Sequence, residues 1–350
     1  MVQARLFCPI CLQRDPHTSA PLYPRCKPFH LPTPAAEPAL LPTDCGVCAL
    51  APDAFTALPL RRITPYNHDT SLLEFALPTP DAYLRLPPLT HLIVRAPDCE
   101  HGGGDAERAY TSVSPPNVAG SFCIMVKRYQ AWGDPAFAHS YKPPGAVSNH
   151  LHSLRPGDTV LMRHNATAHV RLRYPFAAAG VARVTMICVG VGVAPMVQCL
   201  HHVFADAADA TEITLIYGNR TIADVLQREQ LESWAAAHAP PRFRLVLVIG
   251  SRYANVRMHR DDCPPKCKLV HPPPAPLGWD AFAGPFEREL GWVDEAVIRR
   301  HAHAPAADTR VIVCGLPGVY DAICGPRKEA LREGSYLANI GFTDAMVVKL

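Results

Sequence analysis

The stretch Thr185-Met-Ile-Cys-Val-Gly-Val-Gly-Val-Ala-Pro-Met-Val-Gln-Cys-Leu200 constrains this chain more than any other. An apolar run ends in Gly190-Val-Gly-Val-Ala-Pro195, and a second apolar run follows at helical spacing. The pattern predicts a buried strand, a tight glycine turn and the N-terminus of a helix. Glycine has no Cβ, so such a turn lets backbone approach a ligand closely. The helix start adds free N–H groups and a positive dipole end, which suit a phosphate. An ordinary strand–helix turn of an α/β domain carries the same residues, so the flanking chain must decide between the two.

At 350 residues, 48% of them hydrophobic, the chain has room for two domains with sizeable cores and a short extension. A net charge of +3 gives no reason to expect nucleic acid as a partner. The 37 prolines are about twice the usual share. They cluster before residue 60 and between residues 264 and 285, where irregular structure is expected. Thirteen cysteines without a recognisable secretory signal point to a reducing compartment and mostly free thiols. No apolar run approaches the ~20 residues of a membrane span, so no transmembrane segment is expected.

Residues 1–57 form a Cys/Pro-rich N-terminal extension with Cys8-Pro-Ile-Cys11 and Cys45-Gly-Val-Cys48. Two such pairs can present four thiolates to one zinc ion. The gap between them exceeds that of common zinc ribbons and holds Cys26 and His30. A thiol-bearing tail without metal is the alternative. From residue 58 the texture changes to short alternating runs with turns between them, near 60–77, 90–95, 121–129 and 159–163, with a loop at 101–105 and a short helix near 146–154. These predict a small antiparallel β-barrel over residues 58–175. Beyond it, strands at 184–189, 212–217, 243–249 and 311–314 alternate with helices at 194–204, 223–238, 294–302 and 318–333. That rhythm predicts an α/β domain over 176–350, a parallel sheet with helices on both faces. Residues 251–290 interrupt it and are read as a surface insert, in which Cys263 and Cys267 have no clear partner pair for a metal. His201-His202 is expected on a solvated helix flank.

Three further motifs carry chemistry. Arg108-Ala109-Tyr110-Thr111-Ser-Val-Ser114 joins a fixed cation, an aromatic ring and hydroxyls. On a strand, Arg108 and Tyr110 share a face, so one can meet phosphate while the other lies against a flat ring. Gly145-Ala146-Val147-Ser148 opens the short helix and makes a second anion-friendly start. Cys314-Gly315-Leu316-Pro317 closes the last strand predicted, at the strand ends where α/β ligands bind. Two phosphate-friendly sites in one small barrel suit a dinucleotide with a large flat ring.

In this order and at these separations, Arg-x-Tyr-Thr-x-x-Ser, Gly-x-x-Ser, Gly-x-Gly-x-x-Pro and Cys-Gly-x-Pro resemble the ferredoxin–NADP reductase superfamily. Flanking segments resemble its cytochrome b5 reductase-like branch: His68-Asp-Thr with Phe75-Ala-Leu-Pro, Met125-Val-Lys-Arg-Tyr129, Leu151-His-Ser-Leu-Arg-Pro-Gly-Asp158, Asn219-Arg-Thr-Ile-Ala-Asp-Val-Leu226 and Gly291-Trp-Val-Asp-Glu-Ala-Val-Ile298. The likeness spans residues 58–350 apart from the insert. Val191 stands where the family often has threonine, Leu316 replaces a usual proline, and Met346-Val-Val-Lys-Leu350 lacks the usual aromatic ending.

The resemblance implies an FAD-binding barrel, a pyridine-nucleotide domain, and an enzyme that passes hydride from NADH to FAD and then single electrons to a haem protein such as cytochrome b5. A reductase for a desaturase or oxygenase chain, or a non-catalytic metal-binding interaction protein, are the alternatives. By motif, Arg108 is expected on the FAD pyrophosphate, Tyr110 against the isoalloxazine and Thr111 near its reactive nitrogen; Ala109 and Ser114 belong to the same motif. Met125, Val126 and Lys127 are expected along the ribityl and phosphate side, with Lys127 also near the nicotinamide nucleotide. Gly145, Ala146, Val147 and Ser148 are expected at phosphate, and Gly190, Gly192 and Pro195 under the nucleotide. Cys314, Gly315 and Pro317 are expected to wall the nicotinamide, which makes Thr111 and Cys314 the catalytic candidates. Asp224 resembles the acid on the adenosine ribose, where a carboxylate accepts from a 2′-hydroxyl and repels a 2′-phosphate. That favours NADH over NADPH, although nearby Arg220 could meet a phosphate. The implied setting is cytoplasmic, at a membrane surface through a partner, with a mitochondrial location also open.

Overall fold

The computed structural model describes residues 49–99, 103–131, 142–165, 172–250 and 278–350. All of these lie in one compact unit, Leu40–Leu350. Cys8, Cys11, Cys45 and Cys48, with Cys26, His30, His101, Cys263 and Cys267, lie outside the described residues.

The first sheet comprises β1 (Thr56–Pro65), β2 (Thr70–Ala76), β3 (Leu92–Ala96), β4 (Ala106–Tyr110), β5 (Ser121–Lys127) and β6 (Thr159–His164), with helix α1 (Ala146–Ser153) between the last two. Its order is β4-β3-β6-β1-β2-β5, with every pair antiparallel. A bridge from Ser112 to Ile124 ties the chain after β4 to β5 and brings the two sheet edges together. Alternate residues such as Leu58, Leu60, Leu73, Phe75, Ile124 and Val126 fill the barrel, and α1 adds Val147 and Leu151. β1 and β6 alternate buried with exposed, because their outer faces meet water. β2 and β5 are buried almost throughout, because Leu72 and Met125 on their outer faces enter the core of the parallel unit.

That unit comprises β7 (Arg183–Val189), α2 (Ala194–Ala205), β8 (Glu212–Asn219), α3 (Arg228–Ala237), β9 (Phe243–Ile249), β10 (Glu287–Leu290), α4 (Glu295–His301), β11 (Thr309–Cys314), α5 (Pro317–Ile323), α6 (Tyr336–Ile340) and β12 (Val347–Lys349). The sheet order β10-β9-β8-β7-β11-β12 is parallel throughout. The period of two splits each strand between two cores. Met186, Cys188, Leu215, Tyr217 and Leu247 face α2, α3 and the barrel. Ile187, Ile216, Val246, Val248 and Val313 face α4, α5 and α6. Among the described residues, no helix is long and apolar enough to cross a membrane.

The structure departs from the expected elements at several points. The helix expected from 223 begins only at Arg228, because Ile222–Asp224 is a 3-10 turn and Gln227 takes a left-handed φ of 57°. The helix expected over 318–333 stops at Ile323. The next carbonyls turn inward: those of Cys324, Gly325, Pro326, Glu329 and Ala330 all accept from the Lys349 ammonium at 2.8–3.2 Å. Five carbonyls committed to one cation cannot continue a helical ladder. The segment 251–290 is not wholly a surface excursion, since Phe282 is buried and β10 extends the sheet beside β9. β10 reads Glu-Arg-Glu-Leu, a charged edge strand without apolar alternation, and so left no signal. His201 and His202 are half-buried and not on a fully solvated flank. His201 lies edge-on to the Trp234 ring, near the Val113 carbonyl (3.3 Å), and burial pushes both imidazoles down to about 4.

Candidate functional site

α1 packs on β3, β4 and β5, and the Gly190–Val193 turn packs on β5, β7 and β8. β5 therefore stands between the barrel's helix start and the glycine turn of the parallel sheet.

On the barrel side, β4 carries Arg108 and Ala109 exposed. Arg108 donates to the Glu107 carbonyl at 2.8 Å. Tyr110 lies half-buried against the barrel core, and burial raises its hydroxyl above the usual phenol range. Thr111 is half-buried. Ser114 lines a crevice with Gln198 and His202, and its hydroxyl accepts from the Cys123 N–H at 2.7 Å, a bracing bond. α1 opens after Gly145 with no side-chain cap and no acid in its first turn. Gly145 donates to the Tyr129 carbonyl (2.9 Å), and the buried Ser148 hydroxyl donates back to the Gly145 carbonyl (3.2 Å). A Cβ on Gly145 would press on Ser148 Oγ at 2.5 Å and Tyr129 Cβ at 3.1 Å, so the tight corner needs glycine. Ala146 is half-buried and Val147 fully buried in the barrel core. Along β5, Val126 points into the barrel and Met125 into the shared core, while Lys127 at the strand end pairs with Asp69.

On the sheet side, Gly190 takes φ +56°, a conformation side chains disfavour. Gly192 is buried, and a Cβ there would run into the carbonyl of Cys314, with its carbon at 2.9 Å. The glycine turn thus rests against the end of β11, where Cys314 also pairs in register with Cys188 of β7. Pro195 sits buried in the first turn of α2, which has neither an acidic residue there nor a side-chain cap. Burial pushes the Cys314 thiol up to about 11, against a lowering contact with the Tyr320 hydroxyl. At neutral pH it is an uncharged thiol. Gly315 is packed on Val319, while Leu316 and Pro317 are exposed at the start of α5. The C-terminus without an aromatic residue is placed firmly: β12 pairs with β11, and Tyr320 donates to the Leu350 carbonyl.

A charged network joins the two sides. Asp69, just before β2, takes Lys127 and Arg220 (3.3 Å) as ion partners, with the His68 ring 3.3 Å away. Arg220 forks onto Asp224 at 3.1 and 3.3 Å, and the Thr221 hydroxyl donates to the same carboxylate at 3.0 Å. Burial would raise the Asp69 carboxyl, but Lys127 outweighs it and holds the group below the usual range. Asn67 donates to the Ala223 carbonyl at 3.2 Å beside this network.

Two residues at this junction were not singled out from sequence. Tyr129 is half-buried, and burial, with Asp69 and Cys314 adding, raises its hydroxyl. It is within electrostatic reach of Tyr110 as well. The available signal was its place two residues after Lys127, on the same side of an extended chain. Asp69 was visible only as part of His68-Asp-Thr.

The donor set fits two phosphate-bearing ligands. An exposed arginine, an uncapped helix start and half-buried tyrosines suit a flavin nucleotide in the barrel, and a second uncapped helix after a Cβ-free turn suits a nucleotide on the sheet. The sequence matches the model of an oxidoreductase FAD-binding domain over residues 57–168 and that of an oxidoreductase NAD-binding domain over residues 186–261. It is 25% identical to NADH-cytochrome b5 reductase 2 of Saccharomyces cerevisiae over 85% of this chain and 83% of that one. Identity to NADH nitrate reductase of Hordeum vulgare is 30% over 76% of this chain, but that match spans only 26% of the longer relative. The fold superposes on the cytochrome b5 reductase domain of Ulva prolifera nitrate reductase with a TM-score of 0.63 and 25% identity, covering 87% of this chain and all of that one.

Proposed function

The chain belongs to the NADH-cytochrome b5 reductase-like flavoproteins of the ferredoxin–NADP reductase superfamily, and from that membership we propose that it carries electrons from NADH through FAD to a haem protein such as cytochrome b5. In this reading residues 58–175 hold FAD and residues 176–350 hold the nicotinamide nucleotide. One observation carries it: the glycine turn, the end of β11 with Cys314, and β5 with Lys127 and Tyr129 meet at one junction. Bound there, FAD would accept a hydride and release electrons singly, chemistry that belongs to the cofactor.

The protein's share is binding, alignment and electrostatics. Arg108 and the start of α1, with Gly145, Val147 and Ser148, would hold the FAD phosphates. Tyr110 would offer the flavin ring an aromatic face, and Thr111 a hydroxyl donor. Met125 and Val126 anchor β5 in two cores, so that Lys127 is presented at a fixed depth. Gly190 and Gly192 offer backbone N–H groups to the nucleotide's phosphates, and Pro195 fixes the first turn of α2 behind them. Cys314, Gly315 and Pro317 wall the nicotinamide, and the thiol's raised pKa keeps charge out of that wall. The test is anaerobic titration of the purified protein with NADH, followed by addition of oxidised cytochrome b5. A yellow protein that NADH bleaches and the haem protein restores is expected. Protein that takes up no FAD would overturn the reading.

A further inference from the structure

Asp224 follows β8, the strand beside the glycine-turn strand β7, where an acid commonly meets a ribose 2′-hydroxyl. Here that acid is committed elsewhere. Its side chain is 8% exposed, both oxygens accept from the Arg220 fork, and Thr221 supplies a further donor. The Arg220 side chain is 47% exposed, and its hydrogen bonds to the described residues run from Nε and Nη2. Asp69, reaching across from the barrel, holds the same guanidinium from a second direction. Two cations, Lys127 and Arg220, balance two carboxylates, Asp69 and Asp224, so the cluster has no net negative charge to repel an anion. A guanidinium fixed on two carboxylates is preorganised, and its remaining nitrogen, Nη1, can donate to a phosphate oxygen.

We propose that this nucleotide site accepts a 2′-phosphate, because the group facing the ribose is the Arg220 guanidinium seated on Asp224 and Asp69; NADPH is then a donor alongside NADH. Asp69 is a positioning residue for this selectivity, acting through Arg220. The inference rests on the nucleotide reading above.

The experiment uses the FAD-loaded full chain and two probes that cannot donate hydride, 5′-AMP and adenosine 2′,5′-bisphosphate, titrated by calorimetry. Both are expected to bind the wild type, the bisphosphate at least as tightly. Arg220→Gln should weaken the bisphosphate by about tenfold or more and 5′-AMP by less than about threefold, the scale of one charge-assisted contact. Arg220→Lys, which keeps the charge but not the fork, should recover part of the loss. The NADPH:NADH ratio of kcat/KM should fall in step in Arg220→Gln. Wild-type protein that binds 5′-AMP but not the bisphosphate, or an equal loss of both probes in Arg220→Gln, would overturn the inference and leave the reductase reading standing. Failure of NADH to bleach the flavin would remove that underlying reading instead.

Discussion

In the barrel, the groups offered to an anion are chiefly side chains: Arg108 on β4 and Lys127 on β5, standing near an uncapped but half-exposed α1. In the parallel unit they are backbone, because Gly190 and Gly192 bring N–H groups to the buried start of α2. The first site is vulnerable to truncation and the second to addition. The reason is packing. The barrel's ligand face borders solvent, so long charged side chains can stand on it. The glycine turn is pressed between β11 and β5, where no Cβ fits.

The comparison can be broken most decisively at Gly192. Gly192→Ala drives a methyl into the Cys314 carbonyl, a backbone atom that cannot swing aside. Stability should fall by about 1–3 kcal/mol in urea unfolding, with the apparent NADH affinity also lost. An unchanged midpoint would show the turn to be looser than described. The barrel's counterpart is Arg108→Ala, which removes a side chain from an exposed strand. FAD should bind about 10–100-fold more weakly, while the apoprotein melts at the wild-type temperature. Full flavin occupancy in that variant would place the phosphate elsewhere.

Smaller effects sharpen the contrast. Cys314→Ala leaves the backbone contact with Gly192 in place but removes part of the wall we propose for the nicotinamide. Stopped-flow flavin reduction should slow by about tenfold, with the NADH KM moving less than about threefold. Acid should act through the core joining the two regions. His201 and His202 lie near 4 when folded, against an ordinary 6.5, because burial disfavours their charged forms. The unfolded chain therefore binds more protons between those values, so stability is flat above 6.5 and declines as pH drops toward 4. Denaturation midpoints at pH 7.5 and 5 should show this loss, and His201→Gln should lessen it. The smallest effect concerns reactivity: Cys314, near 11, should resist iodoacetamide at pH 7.5 and react faster only as pH climbs toward that value. Rapid alkylation at neutral pH would mean that the thiol is less enclosed.

Much of the fold was legible because it is written in local pattern. Val184, Met186 and Cys188 alternate with Thr185 and Ile187 in a continuously apolar run, the mark of a strand covered on both faces. The alternation of β1 likewise marked a strand with one wet face. The elements that escaped lack such a pattern. β10 is charged, β12 has three residues, and the end of α5 is dictated by a lysine far along the chain. For the candidate site, the glycine turn, Arg108, Tyr110 and Cys314 stood out because their spacing is itself unusual. Tyr129 and Asp69 did not, since a tyrosine or aspartate near a strand end has many ordinary uses.

The amino-acid sequence alone determined most of the strands, where backbone had to go without a Cβ, and which cations and rings stand two residues apart on an extended chain. Each follows from neighbours within a few residues. Only the tertiary structure decided that Gly192 abuts Cys314, that His201 and His202 are half-buried against the barrel side and α3, and that Arg220 stands over Asp224 on a tether from Asp69, 151 residues away. The direction in which a charge faces depends on partners brought together by folding, and no local periodicity records them.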